Sequence, residues 1–168
     1  MPHQPLIDGV EFATAGARQQ GRWPVRDLPR LRDMLASDTG EVDWALEGTR
    51  DERGRPSLRL SVKGTLQLRC QRCLEPMPFE VDADELLVLA ATQAEIDAEP
   101  PDAHAPDRVL AGKQMPLREL IEDQLILELP YAPRHEGCEA DPAAYDDDGA
   151  AERISPFAGL RGLVRGKH

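Results

Sequence analysis

The stretch that decides the fold is Leu58–Pro76, which reads LRLSVKGTLQLRCQRCLEP. Apart from Gly64, the even positions from Leu58 to Cys70 are apolar, and the odd positions between them are polar or charged. This alternation predicts a β-strand that buries one face and exposes the other. Gly64 indicates a bulge or a close approach of neighbouring backbone. The strand leads into a Cys-x-x-Cys turn formed by Cys70 and Cys73.

A second short cluster, Pro133–Cys138, holds the third cysteine of the chain and a histidine three residues before it. Two such pairs, far apart in sequence, can be brought together by a fold into a Cys3His set. Tetrahedral zinc favours this kind of ligand set, with two ligands from each of two turns. The candidate metal ligands are Cys70, Cys73, His135 and Cys138.

Two other interpretations of the cysteines stay open. A Cys-x-x-Cys pair also suits redox chemistry, in which a thiolate of low pKa lies at a helix N-terminus. Pro76 and Pro78 follow the pair, so no helix can begin cleanly after Cys73, and the activating helix dipole is missing. The cysteines can also be small apolar residues that tighten a hairpin.

The residues before and after Leu58–Pro76 predict an α+β fold. Alternating residues predict strands over Val42–Leu46 and around Phe79 and Val81, and the run Leu86–Leu89 suggests a further one. Apolar residues at helical spacing predict a helix over Leu117–Leu129, which Pro130 ends. We expect a small antiparallel sheet of about four to six strands, curled towards a barrel, with this helix packed on it and short terminal helices.

The chain of 168 residues is predicted to hold one domain with tails. We expect residues 1–20 to form a flexible N-terminal arm. Residues 21–138 would form a single α+β domain that includes a mobile, acidic connection over 91–116, with a short strand around Val109 and Leu110. Residues 139–168 would form an acidic linker and a short basic C-terminal helix, capped by Ser155.

The net charge of −11 is unevenly distributed along the chain. Nine acidic residues and no Lys or Arg lie between Glu80 and Asp107, whereas basic residues concentrate near the two ends. Broad, non-specific binding to a polyanion is disfavoured by the acidic middle. A local basic end can still contact RNA or a partner, and the candidate residues are Arg161, Arg165 and Lys167.

The sequence places the protein in the cytoplasm. The chain opens without a secretory-type segment and has no apolar run approaching the length of a membrane span. Its odd number of cysteines suggests no disulfide framework. We therefore expect a reducing cytoplasm and no membrane association.

Four motifs follow one another along the chain: LRCQRCLEP (68–76), LIEDQLILELP (120–130), Pro-Arg-His with the following cysteine (133–138), and SPFAGL (155–160). In this order they resemble the motifs of the YceD-like family, the bacterial large ribosomal RNA subunit accumulation proteins. The last begins with Ser155 where the family usually has Asn. Matching family positions are Cys70, Cys73, Glu122, Asp123, His135 and Cys138.

The resemblance implies a cytoplasmic factor needed for synthesis, processing or stability of the large-subunit (23S) ribosomal RNA. It makes a large-subunit ribosomal protein or a pre-ribosomal particle the candidate partner, with rRNA contact as a further expectation. No catalytic residues are predicted, since neither a phosphate loop nor an acid–base constellation is apparent.

The alternative is a zinc- or thiol-dependent enzyme acting on RNA or protein. In it, Cys70 or Cys138 would be the nucleophile and His135 the base. A Mg²⁺ site at Glu122 and Asp123 is disfavoured, because adjacent residues on a helix point in different directions. We expect these two carboxylates to face solvent or to pair with arginines of the sheet.

Overall fold

The structure, a computed structural model, describes residues 5–98 and 105–138. The strands, in chain order, are β1 (Leu6–Ile7), β2 (Arg18–Pro24), β3 (Leu35–Ser37), β4 (Glu41–Arg50), β5 (Pro56–Arg69), β6 (Pro76–Ala90), β7 (Arg108–Leu110) and β8 (Met115–Pro116). The α-helices are α1 (Gly9–Thr14), α2 (Gln93–Ala98) and α3 (Leu117–Glu128), and two 3-10 helices cover Val25–Asp27 and Pro29–Met34. One compact unit ends at His135, and the following unit is described for residues 136–138.

The main sheet is built around the strand that the alternating sequence predicts. Its order is β2-β4-β5-β6-β7, with β3 paired to β5 beyond the end of β4. The pairing is antiparallel except between β6 and β7, and β1 and β8 form a separate antiparallel pair. The α+β prediction is confirmed. The barrel-like closure is not confirmed, because β2 and β7 end the order and are not paired with each other among the described strands.

The core lies on one face of this sheet. The even-numbered apolar residues of β5 contribute to it, and in α3 the side chains of Leu117, Ile121 and Leu125 are fully buried. Burying each such side chain contributes roughly 1.5–3 kcal/mol relative to exposure. The predicted close approach at Gly64 is confirmed, since a Cβ there would lie 2.8 Å from the carbonyl oxygen of Glu41. None of the helices in the described residues is long and apolar enough to cross a lipid bilayer.

Regular elements occupy most of the described part of the segment that was expected to form an arm. Residues 6–20 form β1, α1 and the start of β2. The carboxylate of Asp8 caps α1 by accepting the N–H of Glu11 at 3.0 Å, and Ala13 is buried in the core. A helix of six residues has fewer than two turns, so its sequence is too short to show helical periodicity.

The connection over 91–116 is also more regular than expected. It contains α2, β7 and β8, and the predicted strand around Val109 and Leu110 is confirmed as β7. β7 pairs in parallel with the end of β6, an interaction that depends on tertiary structure and leaves no local pattern in the sequence. Residues 99–104 and the expected C-terminal linker and helix, 139–168, lie outside the described residues.

Candidate metal centre

The first half of the candidate site is a tight turn between β5 and β6. The N–H of Cys70 donates to the carbonyl of Glu75 at 3.0 Å, and the N–H of Leu74 donates to the carbonyl of Cys70 at 3.0 Å. Leu74 has φ +64°, in the left-handed region that favours glycine. These bonds reverse the chain within five residues, and they hold Cys70 and Cys73 on the same turn.

The second half comes from the segment that follows α3. Pro130 and Pro133 favour extended backbone over further helix, so the chain leaves α3 and returns towards the sheet. The N–H of Gln71 donates to the carbonyl of Pro133 at 2.8 Å. This single main-chain hydrogen bond joins the two segments and brings His135 to the Cys-x-x-Cys turn.

The imidazole of His135 is held from both sides. Its Nε2 lies 3.1 Å from the carbonyl oxygen of Pro76, and its Nδ1 lies 3.4 Å from Sγ of Cys73. A carbonyl only accepts, so Nε2 carries the proton that it donates to Pro76. The lone pair of Nδ1 then remains available to a metal ion, which is the usual arrangement of a metal-ligating histidine.

The ligand atoms of all four predicted residues lie within 4.8 Å of one another. Cys70 is buried, His135 and Cys138 are half-buried, and Cys73 is exposed. In a tetrahedral zinc site with Zn–S near 2.3 Å and Zn–N near 2.0 Å, neighbouring ligand atoms are roughly 3.5–3.8 Å apart. The donors therefore need only small movements to fit a metal ion, and this Cys3His group can bind one.

Main-chain geometry also sets the charge of the site. The N–H of Cys73, with help from those of His135 and Arg72, lowers the pKa of Cys70 from 9.0 to about 5, against an opposing effect of burial. The Pro76 carbonyl, followed by the Cys70 sulfur, raises the pKa of His135. The Cys70 sulfur is therefore a thiolate near neutral pH, the form in which cysteine binds metals.

The two acidic residues of α3 do not form a cation site. Glu122 is buried, and its Oε1 accepts the main-chain N–H of Arg30 at 2.9 Å. Asp123 is paired with the guanidinium of the same arginine, with 2.5 Å between Nη1 and Oδ1. The expected pairing with an arginine is thus found for Asp123, although Arg30 lies in a 3-10 helix rather than in the sheet. The expectation that Glu122 faces solvent was wrong.

Some groups of the site left no signal in the sequence. The carbonyls of Glu75, Pro76 and Pro133 position the ligands, but every residue carries a carbonyl, and their role depends on how the chain folds. Glu122 did leave a weak signal. It lies beside Ile121 and three residues before Leu125, at the edge of the buried helix face.

Comparison with known proteins gives a match across both halves of the site. The sequence profile described as "Large ribosomal RNA subunit accumulation protein YceD" matches residues 58–164, from the central strand through both cysteine-containing segments. The chain belongs to the YceD family. A curated YceD relative from Haemophilus influenzae, with the same description, is 23% identical over 163 residues. The alignment covers 94% of this chain and 93% of the relative. No solved structure matches the chain.

Proposed function

We propose that this YceD-family protein is a non-enzymatic ribosome-biogenesis factor that supports synthesis, processing or stability of 23S ribosomal RNA. The observation that carries the proposal is the family match, because its description names accumulation of the large ribosomal RNA subunit. The relative with the same description aligns over nearly the whole of both chains, which supports proposing the role for the whole chain rather than for one segment.

We propose further that the Cys3His group binds zinc in a structural role. Zinc, when bound, would supply a cross-link between the β5–β6 turn and the segment after α3. Four protein ligands fill a tetrahedral coordination shell and leave no open position for water or substrate. This donor set therefore supports stabilisation of the fold by the metal, rather than catalysis at it.

The proposed partner is a large-subunit ribosomal protein or a pre-ribosomal particle in the cytoplasm. Ribosomal proteins are basic, and the acidic stretch between Glu80 and Asp107 is complementary to such a partner. Contact of Arg161, Arg165 and Lys167 with rRNA remains a hypothesis about residues beyond the described part of the chain.

The alternative is a zinc- or thiol-dependent enzyme acting on RNA or protein. It is favoured by the 3.4 Å contact between Cys73 and His135 and by the lowered pKa of Cys70, since thiol enzymes use such pairs. The two roles respond differently to substitution. An enzyme loses activity on Cys→Ser change while it stays folded, whereas a structural zinc site loses metal and stability together.

The proposal is tested in a strain that lacks the gene. We expect the ratio of 23S to 16S rRNA to fall and the wild-type gene to restore it. A Cys70→Ser/Cys73→Ser variant should fail to restore the ratio, and its purified form should melt at a lower temperature. Lys63→Gln, on the exposed face of β5, is the control and should restore it. An unchanged ratio in the deletion strain would contradict the proposed function.

A further inference from the structure

The turn between β5 and β6 and the segment before His135 place three arginines at one end of the sheet. Arg69 and Arg72 flank Cys70, and Arg134 precedes His135. The hydrogen bond from Gln71 to Pro133 links the residues next to Arg72 and Arg134, so both arginines lie where the two segments meet. All three side chains are exposed. We call Arg69, Arg72, Leu74 and Arg134 the knuckle tip.

The arginines of the knuckle tip differ from those on the exposed face of the sheet. Basic residues on that face are paired with carboxylates of neighbouring strands: Arg18 with Glu47, Arg22 with Asp43, Arg59 with Asp84 and Lys63 with Asp82. Among the described residues, Arg69, Arg72 and Arg134 have no carboxylate within ion-pair distance. Within the described part of the chain, no carboxylate therefore competes with an external anion for these guanidinium groups.

Leu74 is a second, independent observation at the same place. Its side chain is 65% exposed, and its backbone has φ +64°. A leucine in this conformation costs backbone energy that a glycine would not, and exposure denies it the compensation of packing in the core. The turn that holds Cys70 and Cys73 requires this backbone conformation, but it does not require an exposed leucine. The leucine side chain therefore offers an apolar contact to a ligand beside the three arginines.

We propose that the knuckle tip binds RNA, with the arginines on phosphates and Leu74 against a base or ribose. This inference rests on the proposed function and names the surface through which it acts. Guanidinium groups pair with phosphate oxygens in bidentate fashion, and exposed single-stranded bases offer apolar faces. A basic ribosomal protein is a poor occupant, because the three arginines would repel it.

Among the described residues, the distribution of charge favours RNA contact at the knuckle tip. With the cysteine sulfurs left aside, residues 69–75 and 131–136 hold three arginines and two glutamates, Glu75 and Glu136, a balance of +1 in a chain of net charge −11. A bound divalent ion would also offset two of the negative charges brought by the ligating thiolates. RNA would be attracted here and repelled by the acidic segments, which gives local placement rather than coating.

The test measures binding of purified 23S rRNA to the full-length, metal-loaded protein by filter binding. The KCl concentration is varied from about 50 to about 300 mM, because protein–phosphate contacts weaken strongly over this range. The knuckle variant is Arg69→Gln/Arg72→Gln/Arg134→Gln. The matched control is Arg18→Gln/Arg22→Gln/Arg59→Gln, which removes the same charge from the ion-paired sheet face. We expect the knuckle variant to bind at least about tenfold more weakly near 150 mM salt, with a salt slope smaller by about 2, while the control binds as the wild type does.

A single substitution separates contact from folding. Leu74→Gly relieves the left-handed backbone, so we expect an unchanged or higher melting temperature together with weaker RNA binding. A merely structural role for Leu74 would leave RNA binding unchanged. Equal loss of affinity in the two triple variants would show that only net charge matters, and unchanged affinity in the knuckle variant would show that RNA binds elsewhere or not at all. Each of these results overturns the inference.

Complementation distinguishes failure of this inference from failure of the proposed function. If the inference holds, the knuckle variant should not restore the ratio of 23S to 16S rRNA in the deletion strain, although it folds and keeps its metal. Full restoration by the knuckle variant, with none by Cys70→Ser/Cys73→Ser, would overturn the RNA surface and leave the function standing. Failure of the wild-type gene itself to affect the ratio would remove both.

Discussion

The chemistry of the site begins with the sulfur atom of Cys70. It is buried at the end of a strand, where an isolated thiol would ordinarily stay protonated. The main-chain N–H groups of the turn reverse this preference and lower its pKa to about 5. The turn thus prepares a thiolate before any metal arrives, because its donors already point at the sulfur.

This pKa predicts a pH dependence of stability in the metal-free protein. The folded-state pKa of Cys70, about 5, lies below the ordinary 9.0, so the folded state binds the proton more weakly than the unfolded state does. The contribution to stability is complete above the unfolded pKa and is lost as the pH falls towards the folded pKa. We expect the free energy of unfolding of the wild type to exceed that of Cys70→Ser by more at pH 9 than at pH 5.

The measurement is urea denaturation in the presence of a chelator, with both proteins followed across this pH range. The Cys70 sulfur contributes to the raised pKa of His135, so the same comparison is repeated in a His135→Gln background, where that contribution is absent. A difference between wild type and variant that does not change with pH would contradict a thiolate at Cys70.

At the scale of elements, one buried carboxylate adds a hydrogen bond to the apolar packing that attaches α3 to the rest of the fold. Glu122 accepts the main-chain N–H of Arg30, and the side chain of Arg30 pairs with Asp123. We expect Glu122→Ala to lower the free energy of unfolding by about 2 kcal/mol, because it leaves that N–H without its acceptor. Glu122→Gln keeps an acceptor oxygen and should cost less.

The control for this prediction is Asp123→Ala, measured in the same denaturation experiment. The Asp123–Arg30 pair is about half exposed on both sides, so its loss should cost no more than about 1 kcal/mol. If the two alanine variants were equally stable, the buried hydrogen bond of Glu122 would not be the attachment that the structure indicates.

The packing of α1 on β4 gives a second test at this scale. A Cβ at Gly48 would lie 2.1 Å from the carbonyl oxygen of Phe12 and 2.8 Å from Cα of Ala13. We expect Gly48→Ala to lower the free energy of unfolding by about 1–3 kcal/mol through overpacking against α1. Ala45→Ser, at a position on the other face of β4, should be close to neutral. No destabilisation by Gly48→Ala would mean that residues 9–14 are an arm after all.

Elements were predictable from sequence in proportion to the length of their periodic pattern. The alternation across β5 and the apolar face of α3 each extend over more than ten residues, and both elements were predicted close to their observed bounds. α1 is too short to show a period. A strand was predicted around Val109 and Leu110, but its parallel pairing with β6 could not be, because β6 lies far away in sequence. Strand count alone could not say whether the sheet closes, because closure depends on which edges meet.

The sequence predicted the ligands of the candidate site, but it did not predict the main-chain groups that orient them. The spacing of Cys70 and Cys73, and of His135 and Cys138, names four side chains that the structure brings together. The carbonyl of Pro76 and the hydrogen bond between Gln71 and Pro133 orient those ligands. These groups belong to the main chain and are common to nearly all residue types, so the sequence could not predict which of them orient the ligands.

At the scale of the whole molecule, the charge is unevenly distributed: most of the chain is acidic, and three arginines without a carboxylate partner among the described residues lie at the knuckle tip. The net charge of −11 opposes contact with RNA over most of the chain, whereas the ion pairs on the sheet face leave that face nearly neutral. Under the proposed function, this distribution would let the protein approach a pre-ribosomal particle in one orientation. The Cys3His group matters at this scale because its ligands come from two distant segments of the chain that meet beside the knuckle tip.

The most direct test of the account is metal content, measured by mass spectrometry on protein purified without chelator, beside the Cys70→Ser/Cys73→Ser variant. The account predicts close to one zinc per chain in the wild type and none in the variant, together with a lower melting temperature of the wild type after chelation. Absence of metal from the wild type would contradict a structural zinc site, and the three cysteines would then be packing or redox residues.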